Sequence, residues 1–100
     1  MERPLERLKR KIEKENLWIF VLSSLEESRK YGYELRKLIR KRFGFLTGNV
    51  TAYKVLYLLK IGGYIKSKKS GRHIYYEITL KGKEELKAAK ETLKGYLKKI

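Results

Sequence analysis

The sequence predicts a mostly α fold with a small β-hairpin wing, that is, a winged helix-turn-helix flanked by terminal helices for dimerisation. Three observations lead there. Two amphipathic helical stretches follow one another over Tyr31–Arg42 and Gly48–Gly63, two alternating runs joined by Ser-Gly come next, and the positive charge is concentrated over the same residues. Helix, turn, helix, basic hairpin is the order in which a recognition helix enters the major groove and a hairpin reaches along the backbone.

The second stretch carries the pattern most clearly. Ala52, Val55, Leu56 and Leu59 recur at i, i+3, i+4 and i+7, which gathers them on one buried helical face. Asn49 and Thr51 are the residues able to cap its N-terminus, and Gly62-Gly63 supplies a left-handed stop. The opposite face offers Asn49, Val50, Thr51, Tyr53, Lys54 and Tyr57 as recognition-helix residues, with the bare Gly48 leaving room for a phosphate or base edge. Taken alone, those tyrosines fit a core helix equally well. The flanking segments decide for recognition.

Ahead of it, Tyr31-Gly32 is a tight connection into a helix that turns Tyr33, Leu35, Leu38 and Ile39 inward and ends near Phe43-Gly44. Tyr33, Arg36, Lys37 and Arg40 are its candidates for the DNA backbone. Behind it, residues 64–68 and 73–79 alternate with the strand period around a tip at residues 69–72. Lys66, Lys68, Lys69, Ser70, Arg72 and His73 are the wing candidates, cationic without an anion at the tip. His73 is the only histidine, so it has neither a second metal ligand nor a partner base.

Composition narrows the classes. One hundred residues with 42% apolar content make one domain without material for a deep active-site cavity. With no cysteine there is no disulfide, thiolate zinc site or thiol chemistry. No apolar run approaches the roughly 20 residues that span a bilayer, and the Met-Glu-Arg-Pro start lacks a signal-peptide core. A cytoplasmic, nucleoid-associated protein is expected, with no membrane, metal or cofactor. The net charge of +15 demands an anionic partner or an unusual surface, and residues 29–73 hold thirteen cations against the single Glu34. Aspartate and glutamine are absent and asparagine occurs twice, a usage that fits a thermophile.

The ends divide from the middle. Residues 1–16 form an N-terminal helical extension striped with Leu5, Leu8 and Ile12, residues 17–79 the winged helix, and residues 80–100 a C-terminal dimerisation helix. Asn16 leaves open whether the first helix stops or runs on into Leu17–Leu25, which is apolar nearly all round and belongs in core plus subunit interface. Its Trp18 is read as a structural aromatic. Thr79 can cap the last helix, where Leu86, Ala89, Leu93, Tyr96 and Ile100, with Leu97 beside them, trace either the face of a helix folded back on its own domain or, favoured by its length and the charged remaining surface, a coiled-coil seam.

Several of these segments together resemble the PadR-type transcriptional regulators, named for the phenolic acid decarboxylase regulator. Tyr31-Gly32-Tyr33-Glu34-Leu35 is similar to their His-Gly-Tyr-Glu-Ile, Thr51-Ala52-Tyr53 to their Thr-Leu-Tyr recognition motif, and Gly63-Tyr64-Ile65 to their Gly-Leu-Ile. Gly71-Arg72 through Tyr75-Tyr76-Glu77-Ile78-Thr79 and Gly82 resembles their wing and the segment after it. The likeness covers residues 17–86. It implies a short-tailed, homodimeric winged-helix repressor of a pseudo-palindromic operator in double-stranded DNA, with Thr51, Tyr53 and the wing near DNA. Two departures fall on the reading edge, Gly48-Asn49-Val50 in place of Ser-Pro-Gly and Lys54 in place of proline, so base preference does not carry over. Relatives that sense small molecules do so between subunits; no effector is assigned here.

The alternative is an architectural, chromatin-type protein that coats DNA without sequence preference, favoured by the excess of lysine over arginine. An enzyme lacks its residues, having one histidine, no cysteine, no aspartate and no phosphate-loop motif. RNA binding lacks an aromatic sheet motif.

Overall fold

The chain runs α1 (Pro4–Glu15), α2 (Leu17–Glu27), β1 (Lys30–Tyr31), α3 (Gly32–Phe43), α4 (Asn49–Ile61), β2 (Ile65–Ser70), β3 (His73–Ile78) and α5 (Leu80–Lys99). This order is taken from a computed structural model that describes residues 1–100. The most apolar segment, α2, is the helix on which the others pack. Leu17, Val21, Leu22, Ser24 and Leu25 are all buried, because a helix apolar on nearly every side needs cover on several sides. α3, α4, α5 and β3 supply that cover, and Leu35, Ile39, Leu56, Leu59, Ile65, Ile78 and Leu86 close one continuous core around it.

Each boundary has a local cause. Pro4 opens α1 at a position where its missing N–H costs nothing. Asn16 (φ −118°, ψ 30°) breaks the chain between α1 and α2, so the two are separate helices; its side chain does not cap α2 but donates back to the Lys11 carbonyl of α1 (3.4 Å). Gly44 (φ +79°) ends α3 in the left-handed conformation. The start of α4 differs from expectation: Gly48 holds the cap position, and Asn49 is already helical, so no side chain caps this end. At the other end only Gly63 (φ +80°) is left-handed, while Gly62 stays helical at φ −72°. Thr79 caps α5 by accepting the Gly82 N–H (3.1 Å), and its hydroxyl donates to the Gly63 carbonyl (2.7 Å), tying the end of α4 to the start of α5.

The sheet is antiparallel in the order β1-β3-β2, with Ile65 opposite Ile78 and Ser70 opposite His73. Strand β2 runs two residues beyond the predicted Lys68, leaving only Gly71-Arg72 as the loop; Gly71 (φ +60°) takes the first central position of a type II′-like turn. Tyr31, expected with Gly32 as a plain connection, instead joins Lys30 in a third strand against Tyr75 and Tyr76. Two residues are too few to display an alternation.

Two inward assignments need correction. Tyr33 is 62% exposed, since it lies on the solvent side of α3 next to Gly32 and not on the Leu35–Ile39 stripe. Leu86, expected at a subunit seam, is 1% exposed inside its own domain, and Ala89 is half-buried. α5 packs on α2, and that packing takes up the first part of the stripe. Beyond it Leu93, Tyr96, Leu97 and Ile100 remain exposed. So do Leu5, Leu8 and Ile12 on α1, which buries no residue at all. The charges of α1 pair along the helix instead: Arg10 contacts Glu2 (3.0 Å) and Lys11 contacts Glu15 (2.6 Å), each cation holding its carboxyl below the usual carboxylate range. No helix is long and apolar enough to cross a membrane.

Gly82 lets the first turn of α5 lie directly on β2. A Cβ there would collide with the Tyr64 carbonyl and come within 2.8 Å of Ile78 Cγ1. Backbone cannot move aside as a side-chain tip can, so Gly82→Ala is expected to lower unfolding free energy by about 2 kcal/mol. Urea denaturation of the two proteins checks this; equal midpoints would mean the turn has slack.

Candidate nucleic-acid interface

The residues singled out on α4 emerge on one exposed edge. Ala52, Leu56 and Leu59 are buried and Val55 is half-buried, which turns Asn49, Val50, Thr51, Tyr53, Lys54 and Tyr57 outward. Val50 is 85% exposed, an apolar side chain held in water at the first turn. Tyr53, at 47%, is less exposed than Val50 or Tyr57, because its phenol lies across Gly32 at the start of α3. Gly32 is buried beneath that ring. The Tyr-Gly-Tyr segment is thus coupled to the exposed edge of α4 by contact, which separate readings of the two helices do not reveal.

α3 and the loop before α4 enclose a groove of about 240 Å³ lined by Tyr33, Arg36, Lys37, Arg40, Leu46 and Thr47. The four backbone candidates therefore share one surface. One of them has a structural task as well: Arg36 Nε donates to the Thr47 carbonyl (3.2 Å), bracing the loop that aims α4. The lone acid of this region, Glu34, accepts the Tyr31 N–H (3.2 Å), which holds its charge at the N-terminus of α3. Arg42, at the far end of α3, is paired with Glu27 (2.8 Å).

The hairpin divides its cations between two faces. Alternation from the buried Ile65–Ile78 pair puts Ser67, Lys69, Ile74 and Tyr76 on the core side and Lys66, Lys68, Tyr75 and Glu77 on the other. Tyr76 is close enough to Tyr53 to feel it; burial first, then that neighbour, pushes its phenol up. Lys69 therefore shares the side of α4. Lys66 faces Glu77 (3.9 Å), and both line a groove of about 310 Å³ with Arg29, Ser67, Lys68 and Tyr75. Ser70 and Arg72 are exposed at the tip.

His73 is exposed and stacked on Tyr31 (centroids 4.0 Å apart, 14° between planes), with Tyr75 edge-on to Tyr31 at 5.7 Å. Arg29 covers the Tyr75 ring at 4.5 Å. These contacts brace the wing against β1 and α3. Arg29 was missed in the sequence because nothing marks it until β1 pairs with β3. α1 stands across a cleft of about 410 Å³ from Gly48 and Thr51, to which it turns Lys9, Arg10 and Lys14 together with Glu6 and Glu13. No group of three or more metal-ligating side chains occurs.

Known proteins share this architecture. Residues 21–88 match the family described as "Transcriptional regulator PadR-like family". A transcriptional regulator from Clostridium thermocellum is 29% identical, with a TM-score of 0.81 over 87% of this chain and 91% of that one. A PadR family transcription regulator from hypervirulent Clostridium difficile R20291 is 32% identical, with a TM-score of 0.76 over 82% and 91%. F93 from STIV, a winged-helix DNA-binding protein, shares the fold at 24% identity, with a TM-score of 0.73 over 81% and 89%. Among curated proteins none matches the sequence.

Replacing Gly32 with alanine should push the Tyr53 ring off α3 without unfolding the protein, because the far end of a side chain can swing away. The expected cost is about 1 kcal/mol. A double-mutant cycle with Tyr53→Ala checks it: the Gly32→Ala penalty should vanish once the ring is gone.

Proposed function

Because this chain belongs to the PadR-like family of transcriptional regulators, we propose that it binds double-stranded DNA as a homodimer and represses transcription from a pseudo-palindromic operator. The observation that carries the proposal is the set of exposed cations on the α3 groove, at Lys54 of α4 and at Lys69 and Arg72 of the wing, among which the acid Glu34 is held by the Tyr31 N–H at the start of its own helix and Glu77 lies on the opposite face of the wing. In this reading Asn49, Thr51, Tyr53 and Lys54 meet base edges, with Val50 and Tyr57 flanking them. Tyr33, Arg36, Lys37, Arg40, Lys69, Ser70 and Arg72 meet phosphates. Lys66, Lys68 and His73 lie behind them as wing support and long-range charge. The site of action would be the nucleoid, in the cytoplasm.

A dimer is supported by apolar surface that the single chain leaves uncovered. Leu5, Leu8 and Ile12 on α1 and Leu93, Tyr96, Leu97 and Ile100 on α5 are exposed, and water disfavours such stripes on two helices of one small protein. Pairing two copies through residues 1–16 and 80–100 would cover them and present two recognition helices at once. The architectural alternative draws on 18 lysines against 8 arginines, since arginine is the better bidentate reader of guanine.

Titrations of preferred and scrambled duplexes at fixed salt separate the two readings. Tyr53→Ala or Asn49→Ala should weaken the preferred site by about 1 to 3 kcal/mol and leave the scrambled one nearly unchanged. Lys69→Ala should weaken both alike and flatten the salt slope by about one unit from a wild-type value near −5, the value for about six phosphates. Lys66→Ala should do less, because Glu77 already faces it. Equal losses on both duplexes for the helix variants would establish the architectural alternative. For the dimer, Leu93→Lys is expected to give a monomer by sedimentation, with wild type dimeric. A wild type that sediments as monomer at high concentration would overturn it.

A further inference from the structure

A second cationic surface lies away from the recognition edge. Lys83, Lys87, Lys90, Lys94 and Lys98 are all exposed, and at 3.6 residues per turn they fall within an arc of about 80° on α5. Only Lys90 has a carboxylate within 4.0 Å, namely Glu26 at 3.6 Å. The five rise along about 22 Å of helix axis, in steps of about 4.5 to 6 Å. One strand of B-DNA places about six phosphates along that length. Ordinary solvated helix surfaces intersperse signs, and the acids of this helix, Glu84, Glu85 and Glu91, all stand outside the arc.

The orientation of α5 separates this stripe from both other surfaces. Glu85, about half a turn round from Lys94, points to the side where α5 meets the C-terminal half of α4, lining a hollow with Trp18, Leu59 and Tyr64. The lysines therefore face away from α4. The exposed apolar residues lie to the Lys90 side of the stripe, Tyr96 and Ile100 about 80° or more from its edge, Leu93 about 60° and Leu97 about 20°, so a dimer contact through them borders the stripe there and leaves its Lys83, Lys87 and Lys98 side in water.

We infer that the α5 lysine stripe is a second, sequence-independent duplex-binding surface, which grips the phosphate backbone of a DNA segment other than the one under α4 and so bridges two duplexes. This rests on the proposed DNA binding through α4 and the wing. The second segment is either another molecule or a distant part of the same one; the chemistry is the same, and the length of the tethered DNA distinguishes them.

The test tethers a short duplex bearing one preferred site to beads, adds protein, and measures capture of a second, labelled duplex of unrelated sequence, alongside affinity for the tethered duplex alone. The quadruple variant Lys83→Gln, Lys87→Gln, Lys94→Gln, Lys98→Gln keeps the helix-forming propensity and touches no core residue. It should hold the tethered duplex within twofold of wild type while capturing the second at least fivefold less. Tyr53→Ala should show the reverse, weakened preference for the tethered site with stripe-dependent capture retained. On a tethered duplex several persistence lengths long, wild type should also form loops that the variant does not. Equal capture by the quadruple variant, or a wild type that holds the first duplex and captures no second, overturns the stripe as a DNA surface and leaves the α4 reading intact. Stripe-dependent binding to phosphatidylserine vesicles without duplex capture overturns it in favour of a membrane surface. Failure to hold any duplex overturns both readings.

Discussion

Burial of α2 on several sides is the constraint from which the rest follows. Leu22 has no exposed surface, and its neighbours Leu17, Val21 and Leu25 are each 1% exposed, so α3, α4, α5 and the sheet must all find room around one short helix. Taking those side chains out of water supplies about 1.5 to 3 kcal/mol each as an upper estimate. Every covering element spends one face on that contact and has the other left for solvent. The outer faces of α3 and α4 and the tip of the hairpin are therefore set together by packing, before any partner is present.

Charge then acts on a scaffold that packing has already fixed. Thirteen cations and one acid over residues 29–73 repel one another, and the fold relieves this only at places: Arg42 on Glu27, Lys66 opposite Glu77, Arg29 over the Tyr75 ring. These local pairs are exposed and contribute little individually. A polyanion along the remaining cations would relieve the repulsion more fully, which ties affinity to salt concentration. The α5 stripe extends the same logic to the far side of the molecule.

The wing is held by aromatic contact more than by its ladder alone. A two-stranded hairpin is marginal by itself, and β1 adds only two residues of pairing. The stack of His73 on Tyr31 and the edge of Tyr75 join the hairpin to the segment that starts α3. Tyr53 lying on Gly32 then joins α3 to α4. α4 and the hairpin are thereby referred to the same few residues, Tyr31 and Gly32, and motion of one relative to the other would cost those contacts.

Patterns local in the chain were legible without coordinates. The apolar period of α4, the alternation of the hairpin, the Thr79 cap, the glycine ends at Gly44 and Gly63 and the concentration of charge all depend on residues within a turn or two of each other, where spacing and backbone preference act directly. Such signals carried the fold class and the outward set on α4. They do not contain the partner across space. Periodicity alone reports that Leu86 belongs to an apolar stripe but not whether α2 or another subunit covers it, and it cannot show that Arg36 braces Thr47, or which of the opposite wing faces of Lys66 and Lys69 turns toward α4. Those outcomes were decided by tertiary packing, because the free energy of burying a face is settled only when every element competing for that contact is in place.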